Sequence, residues 1–131
     1  MDSRERIPGD KIHRYDESAD FEVNDKTLII HMKEDFDHHN AIYIREYADK
    51  KLLSSNIRNV IFDFSKVQFM DSSGIGVILG RYKRLRLMGS GKVAVTGVSS
   101  SVNRILSMSG LYSVVEKYQN LTDAIQAMIV K

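Results

Sequence analysis

The sequence predicts an α/β fold: a mixed, mostly parallel sheet of four to five strands with helices, in the order ββαβαβαβα. Three observations predict it. Short β-branched and aromatic runs alternate with segments whose apolar residues recur at three- and four-residue steps, the periods of a buried strand and of one helix face. Such alternation needs crossover connections, and those pair strands in parallel. Near the start, two β-rich runs are separated only by Asn24-Asp25-Lys26, which marks an antiparallel hairpin at one side of the sheet.

The elements follow in order. Phe21–Val23 and Thr27–Met32 form the hairpin, with Leu28-Ile29-Ile30 as its apolar centre. Lys33–Asn40 is a polar loop, and Asn40 is placed to cap a helix running to about Leu53 with Ala41, Ile44, Ala48 and Leu52 inward. Val60–Phe64 reads as the central buried strand. A helix capped at Ser72 carries Ile75, Ile78, Leu79, Tyr82 and Leu85 on one face and stops at Gly89-Ser90-Gly91. Lys92–Thr96 is the next strand. Ser99–Ser109 is a short helix with Val102, Ile105, Leu106 and Ser109 on one side, ended by Gly110. Val114–Tyr118 is an edge strand, and Thr122 caps a last helix with Leu121, Ala124, Ile125 and Met128 inward. Met88 and Met108 are expected to fill the core near the sheet ends.

Composition narrows the class. With 131 residues and 43% hydrophobic content, one domain with one core is expected, from residue 21 to 131. Residues 1–20 are polar, of mixed charge and hold the only proline, so they read as an extension. No apolar run approaches the roughly 20 residues needed to span a bilayer, and the N-terminus lacks an apolar signal core. A net charge of +2 is too small to imply a polyanion partner, and zero cysteines exclude disulfides and thiolate chemistry. The expected location is cytoplasmic.

The stretch Ser65–Leu87 organises the rest. Asp71-Ser72-Ser73-Gly74 falls where the loop after the central strand meets the first turn of a helix. Backbone N–H groups are unpaired there and the helix dipole favours negative charge. A hydroxyl at that place is accessible, and the fold tolerates its phosphate. Spacing alone does not choose between Ser72 and Ser73.

The run Phe69-Met70-Asp71-Ser72-Ser73-Gly74-Ile75-Gly76-Val77-Ile78-Leu79-Gly80-Arg81-Tyr82-Lys83 resembles the signature of the anti-sigma factor antagonists, a STAS-domain family, and most of all its sporulation anti-sigma-F branch. Asp37-His38-His39 and Arg104–Leu111 match further short motifs of that family, so the resemblance spans about Phe21 to Val130. It implies the STAS fold and a partner-switching role in transcription regulation. The unphosphorylated antagonist would bind an anti-sigma factor that is also a serine kinase, displacing a sigma factor. The kinase would then phosphorylate the serine after the aspartate, Ser72, and a metal-dependent serine phosphatase would reverse it. The resemblance implies no cofactor. Asp71, Ser73, Gly74 and Gly76 belong to the partner-binding set, the two glycines keeping the approach to Ser72 open. Asp37, His38 and His39 join it because their loop enters a helix from the sheet end that carries Ser72. Arg81 joins it from the outer face of the helix. Two positions depart from the pattern: Glu34 stands where a glycine is common, and Ser99-Ser100 where a proline is common.

Other chemistries fit poorly. Adjacent histidines point badly at one metal ion. In Arg81–Arg86 the charges alternate with core positions Tyr82 and Leu85, which describes a solvated helix face and not a nucleic-acid surface. A phospho-aspartate receiver needs an acidic cluster beyond the strand, whereas Asp63 lies within it. A serine hydrolase needs a late histidine, and all four histidines precede residue 40. No Gly-x-x-x-x-Gly-Lys-Ser/Thr loop occurs. The expectation is a kinase substrate and binding module, not an enzyme. The runner-up is a STAS adaptor or stress-response antagonist acting on a different partner.

Overall fold

The computed structural model describes residues 17–89 and 91–129. Nearly all of the expected extension, and Ser90 of the helix stop, lie outside them. The element order is β1 (Ala19–Asn24), β2 (Thr27–Met32), α1 (Ala41–Ser54), β3 (Asn59–Asp63), α2 (Ser72–Leu87), β4 (Val93–Thr96), α3 (Ser100–Met108), β5 (Glu116–Tyr118) and α4 (Leu121–Ile129). A single turn of 3-10 helix, Leu111–Ser113, precedes β5. The first strand starts two residues ahead of the expected Phe21, because Ser18 and Ala19 are buried and the Ser18 carbonyl accepts from the Lys33 N–H at 2.8 Å.

The five strands lie in sequence order, with β1–β2 antiparallel and every later pair parallel. Register stacks apolar residues in rows across the sheet: Leu28, Val60 and Val93 in one, Ile30, Phe62 and Val95 in another. These rows join the main core with Ile44, Ala48 and Leu52 of α1, Ile78 and Leu85 of α2, and Val102 and Leu106 of α3. The alternate row, Ile29, Ile61 and Ala94, points to the opposite face, where Ala124 of α4 covers it together with Leu121, Ile125 and Met128. Burial on both faces is why β2, β3 and β4 read as continuous apolar runs. The inward stripe of α1 is the expected Ala41, Ile44, Ala48 and Leu52.

Three caps differ from expectation. Asn40 precedes α1, but its amide donates to the Asp35 carbonyl at 2.8 Å and to Glu34 at 3.1 Å, so it braces the preceding loop and does not bond the helix. Asp71, not Ser72, caps α2. Asn120, not Thr122, caps α4, its side chain accepting from the Asp123 N–H at 2.9 Å. Ser99 caps α3 through the Val102 N–H at 3.2 Å. Met88 and Met108 are not core fillers: they are 49% and 78% exposed, Met88 lying just past the end of α2 and Met108 at the last residue of α3, while Leu85 and Leu106 supply the inward contacts of those last turns. Ser109 is also exposed and Ile105 only partly buried.

On the α4 side of the sheet, His31 of β2 sits between two carboxylates. Its Nδ1 is 2.8 Å from Asp63 of β3 and its Nε2 2.8 Å from Glu22 of β1, which ties three strands together. Partial burial alone would lower the His31 pKa, but the Glu22 and Asp63 hydrogen bonds outweigh it and raise it above 6.5. A raised histidine stabilises the fold fully below its unfolded value and stops doing so as pH rises through the folded value. Asp63, whose pKa lies below its usual 3.8, acts in the opposite sense, losing its contribution as pH falls through the folded value. Stability should therefore decline from pH 6 to pH 9. In a denaturant titration at those two pH values, His31→Gln should cost about 1 kcal/mol at pH 6 and abolish most of the difference.

Candidate functional site

Parallel strands deliver their outgoing loops to one end of the sheet, and the sequence-predicted site residues collect there. The β2–α1 loop carries Asp37, His38 and His39, and the β3–α2 loop carries Asp71 and leads into Ser72. The two loops are joined by an isolated parallel bridge, Phe36 to Met70. The Phe36 N–H donates to the Phe69 carbonyl at 3.1 Å, and the Asp71 N–H to the Phe36 carbonyl at 3.2 Å. Beneath the bridge, Phe36, Phe62 and Phe64 form a fully buried aromatic cluster with centroids 5.7–6.3 Å apart.

Two aspartates stitch the loops from opposite sides. Asp35 Oδ1 accepts from the N–H groups of Gln68 at 2.8 Å and Phe69 at 3.1 Å. Asp71 divides its carboxylate: Oδ1 accepts from the Ser73 N–H at 2.8 Å, capping α2, and Oδ2 from the His38 N–H at 3.2 Å. Partial burial works against the Asp71 charge, but the hydrogen bonds from Ser73 and His38 prevail and hold its pKa below the usual 3.8. Asp71 is therefore anionic and fixed in place immediately before Ser72.

Ser72 is the first residue of α2 and is exposed, while Ser73 is half-buried and its N–H is committed to the cap. The pair that spacing could not separate thus differs in accessibility. His38 and His39 are exposed with ring centroids 4.0 Å apart, and His38 Nδ1 lies 3.6 Å from Asp71. Asp37 holds the turn by accepting from the His39 N–H at 2.9 Å. Nearby, the Gln68 carbonyl accepts from Ser101 of α3 at 3.2 Å, and the adjacent Phe69 ring is 51% exposed. An exposed aromatic residue beside the serine is a natural partner anchor. Sequence reasoning passed over Phe69 because a lone aromatic in a loop has no periodic signal. It passed over Asp35 because the carboxylate acts only through a loop distant in sequence.

Two expected partner residues lie elsewhere. Gly74 is buried, and a Cβ there would come within 2.8 Å of Met70 and 3.1 Å of Phe36. It is needed so that the helix can sit down on the bridge, not to open the surface. Gly76 is exposed with open space around it. Arg81 is not on the outer face: it is 5% exposed and sits between α2 and α1, its Nε 3.1 Å from Asp49 Oδ1. The pair is misaligned for a hydrogen bond, so the attraction is coulombic. Burial pulls the guanidinium pKa down despite Asp49. Helical periodicity missed this because Arg81 occupies an inward position between Ile78 and Leu85 that a charge does not usually take.

Gly74→Ala should destabilise by about 1–3 kcal/mol through overpacking, whereas Gly76→Ala should be neutral or stabilise by up to about 1 kcal/mol, both measured by urea unfolding. Arg81→Ala should cost roughly 1–3 kcal/mol by leaving the buried Oδ1 of the partly exposed Asp49 unpaired. The companion Arg81→Met with Asp49→Leu should recover most of that loss in the same assay.

Among the described residues, no three or more metal-ligating side chains cluster, and no helix is long and apolar enough to cross a membrane. The STAS domain family profile matches residues 18–124. An anti-sigma F factor antagonist of Paenibacillus polymyxa is 37% identical over 103 residues, covering 79% of this chain and 87% of that protein. The fold matches the anti-sigma factor antagonist SpoIIAA in its unphosphorylated form, with a TM-score of 0.71 and 23% identity over 87% of this chain and 100% of that one. It also matches the Bacillus cell fate determinant SpoIIAA in its phosphorylated form, with a TM-score of 0.67 and 26% identity over 84% of this chain and 98% of that one. An exposed serine at a helix start, a capping aspartate tied to a paired-histidine turn, and relatives of this kind lead to one assignment: the chain belongs to the STAS-domain family of anti-sigma factor antagonists.

Proposed function

We propose that this antagonist, in its unphosphorylated form, binds an anti-sigma factor with serine kinase activity and thereby releases a sigma factor, and that phosphorylation of Ser72 by the same kinase ends the interaction. A metal-dependent serine phosphatase resets the cycle, and the protein works in the cytoplasm as a kinase substrate and binding module without catalysing a reaction itself. The observation that carries the reading is the position of Ser72: exposed, at the first turn of α2, directly after an anionic Asp71. That SpoIIAA, a structural relative, exists in both an unphosphorylated and a phosphorylated form supports it.

The physics accounts for both halves of such a switch. A phosphoserine adds roughly −1.5 to −2 charge and strong acceptor oxygens. At a helix N-terminus the free N–H groups and the dipole accommodate that charge, so the domain keeps its fold. Against a partner surface the same group, next to the Asp71 carboxylate, brings like-charge repulsion and an uncompensated desolvation cost. The partner surface would comprise the Asp37–His39 turn, Phe69, Asp71, Ser72 and Ser73, with the open space at Gly76 leaving room for a kinase active site.

The test is intact mass after incubation with the candidate anti-sigma kinase and ATP. Wild type and Ser73→Ala should each gain one phosphate and Ser72→Ala none, while Ser72→Ala keeps binding the kinase and Ser72→Asp binds at least tenfold more weakly, a change of about 1.4 kcal/mol. Equal binding of the phosphorylated and unphosphorylated proteins would falsify the switch.

A further inference from the structure

We propose that Asp71 is a relay as well as a helix cap: negative charge on Ser72 releases the His38 amide from the Asp71 carboxylate, so that the Asp37–His39 turn loosens and modification alters two patches of the partner surface instead of one. The inference rests on Ser72 as the modified residue and adds how the modification spreads.

The geometry divides the Asp71 carboxylate unequally. Oδ1 makes the shorter bond, 2.8 Å to the Ser73 N–H, inside the N-terminal turn of α2, where the helix dipole reinforces it. Oδ2 makes the longer one, 3.2 Å to the exposed His38 N–H. Among the described residues, no other hydrogen bond ties His38 or His39 to the β3–α2 loop, although His38 Nδ1 also lies 3.6 Å from the same Oδ2; the His39 N–H turns inward to Asp37, and the two rings lie against each other at a tilt of 37°. A dianion on the neighbouring Ser72 repels this carboxylate, while the helix dipole holds the Oδ1 cap in place. The weaker, outer Oδ2 contact gives way first.

The release stays local. The Phe36–Met70 bridge uses backbone groups, and Asp35 holds Gln68 and Phe69 independently of Asp71. On the other side of the turn, the buried Asn40 is anchored to Asp35 and Glu34. Asp37 is held at both backbone groups, its N–H donating to Asn40 Oδ1 at 3.2 Å and its carbonyl accepting from the N–H groups of Asn40 and Ala41, so the part left free to rearrange is the His38-His39 tip of the turn. A partner that needs this turn in its pinned form then loses a pre-organised contact in addition to meeting the phosphate. By linkage, binding of that partner strengthens the His38–Asp71 contact in return.

The test needs no kinase. Solvent exchange of backbone amides is measured by NMR for wild type, Ser72→Glu and Ser72→Gln, the last matching the first in size without its charge. Ser72→Glu should speed exchange of the His38 amide on the order of tenfold over Ser72→Gln, with Phe62 and Ser73 unchanged. Asp71→Asn should raise His38 exchange in the Ser72→Gln background as well. Equal His38 exchange in the Glu and Gln variants overturns the relay, and does so whether or not kinase treatment adds a phosphate to Ser72. Conversely, a failed phosphorylation removes the modified serine while the charge-dependent loosening of the turn stands.

Discussion

The functional end of this domain depends on one short parallel bridge between Phe36 and Met70, laid over the fully buried rings of Phe36, Phe62 and Phe64. Two loops leaving neighbouring parallel strands have no intrinsic reason to stay together once their strands end. Here they are zipped for one further step by backbone hydrogen bonds, and the apolar side chains of the bridge seal the end of the core. The cost of ordering the loops is offset by burying two large side chains completely. Everything outward of the bridge inherits its rigidity: the Asp35 and Asp71 stitches, the first turn of α2 on Gly74, and through them the exposed serine and histidines.

Charge is used in two ways within 10 residues of α2. At the N-terminal end Asp71 is half-exposed, hydrogen-bonded and held at the surface, where its charge can meet a ligand or a partner. Further along, Arg81 is drawn inside to meet Asp49 between two helices, where its charge is hidden from any partner. A buried pair of this kind adds little net stability over an apolar one, but it punishes misalignment of α1 and α2 strongly. That pair favours one register of α2 against α1, while the surface chemistry of α2 is set at its N-terminus.

The strand–helix alternation, the inward stripe of α1 and the strand-to-helix position of the serines were legible in the sequence because each follows from periodicity within one segment. What was not legible depends on contacts between segments. The cap of α2 falls on Asp71 and not on the expected Ser72, since both side chains can accept and only the loop path decides. Arg81 reads as solvated when Tyr82 and Leu85 are taken to define the inward face, and nothing local announces Asp49 across the helix interface. Gly74 and Gly76 look alike in the chain, yet one packs on Phe36 and the other faces open space. Met88 and Met108 were misplaced because an apolar residue at a helix end carries no periodic signal of which way it faces. Glu34, a departure from the family pattern, accepts from Ser18 at 2.9 Å and from Asn40 at 3.1 Å, a role that requires the β2–α1 loop to meet the segment ahead of β1.

That meeting point has a practical corollary. Because β1 runs antiparallel to β2, Ala19 lies beside Met32, at the same end of the sheet as Ser72, and Ser18 is fastened there through Lys33 and Glu34. Glu17, where the described residues begin, stands at the rim of the face that holds Ser72. A fluorophore or spin label placed at Glu17 reports on that face at short range, and a bulky one obstructs it. The far end of the sheet, where the β1–β2 hairpin turns at Asp25, offers a handle that leaves the face clear.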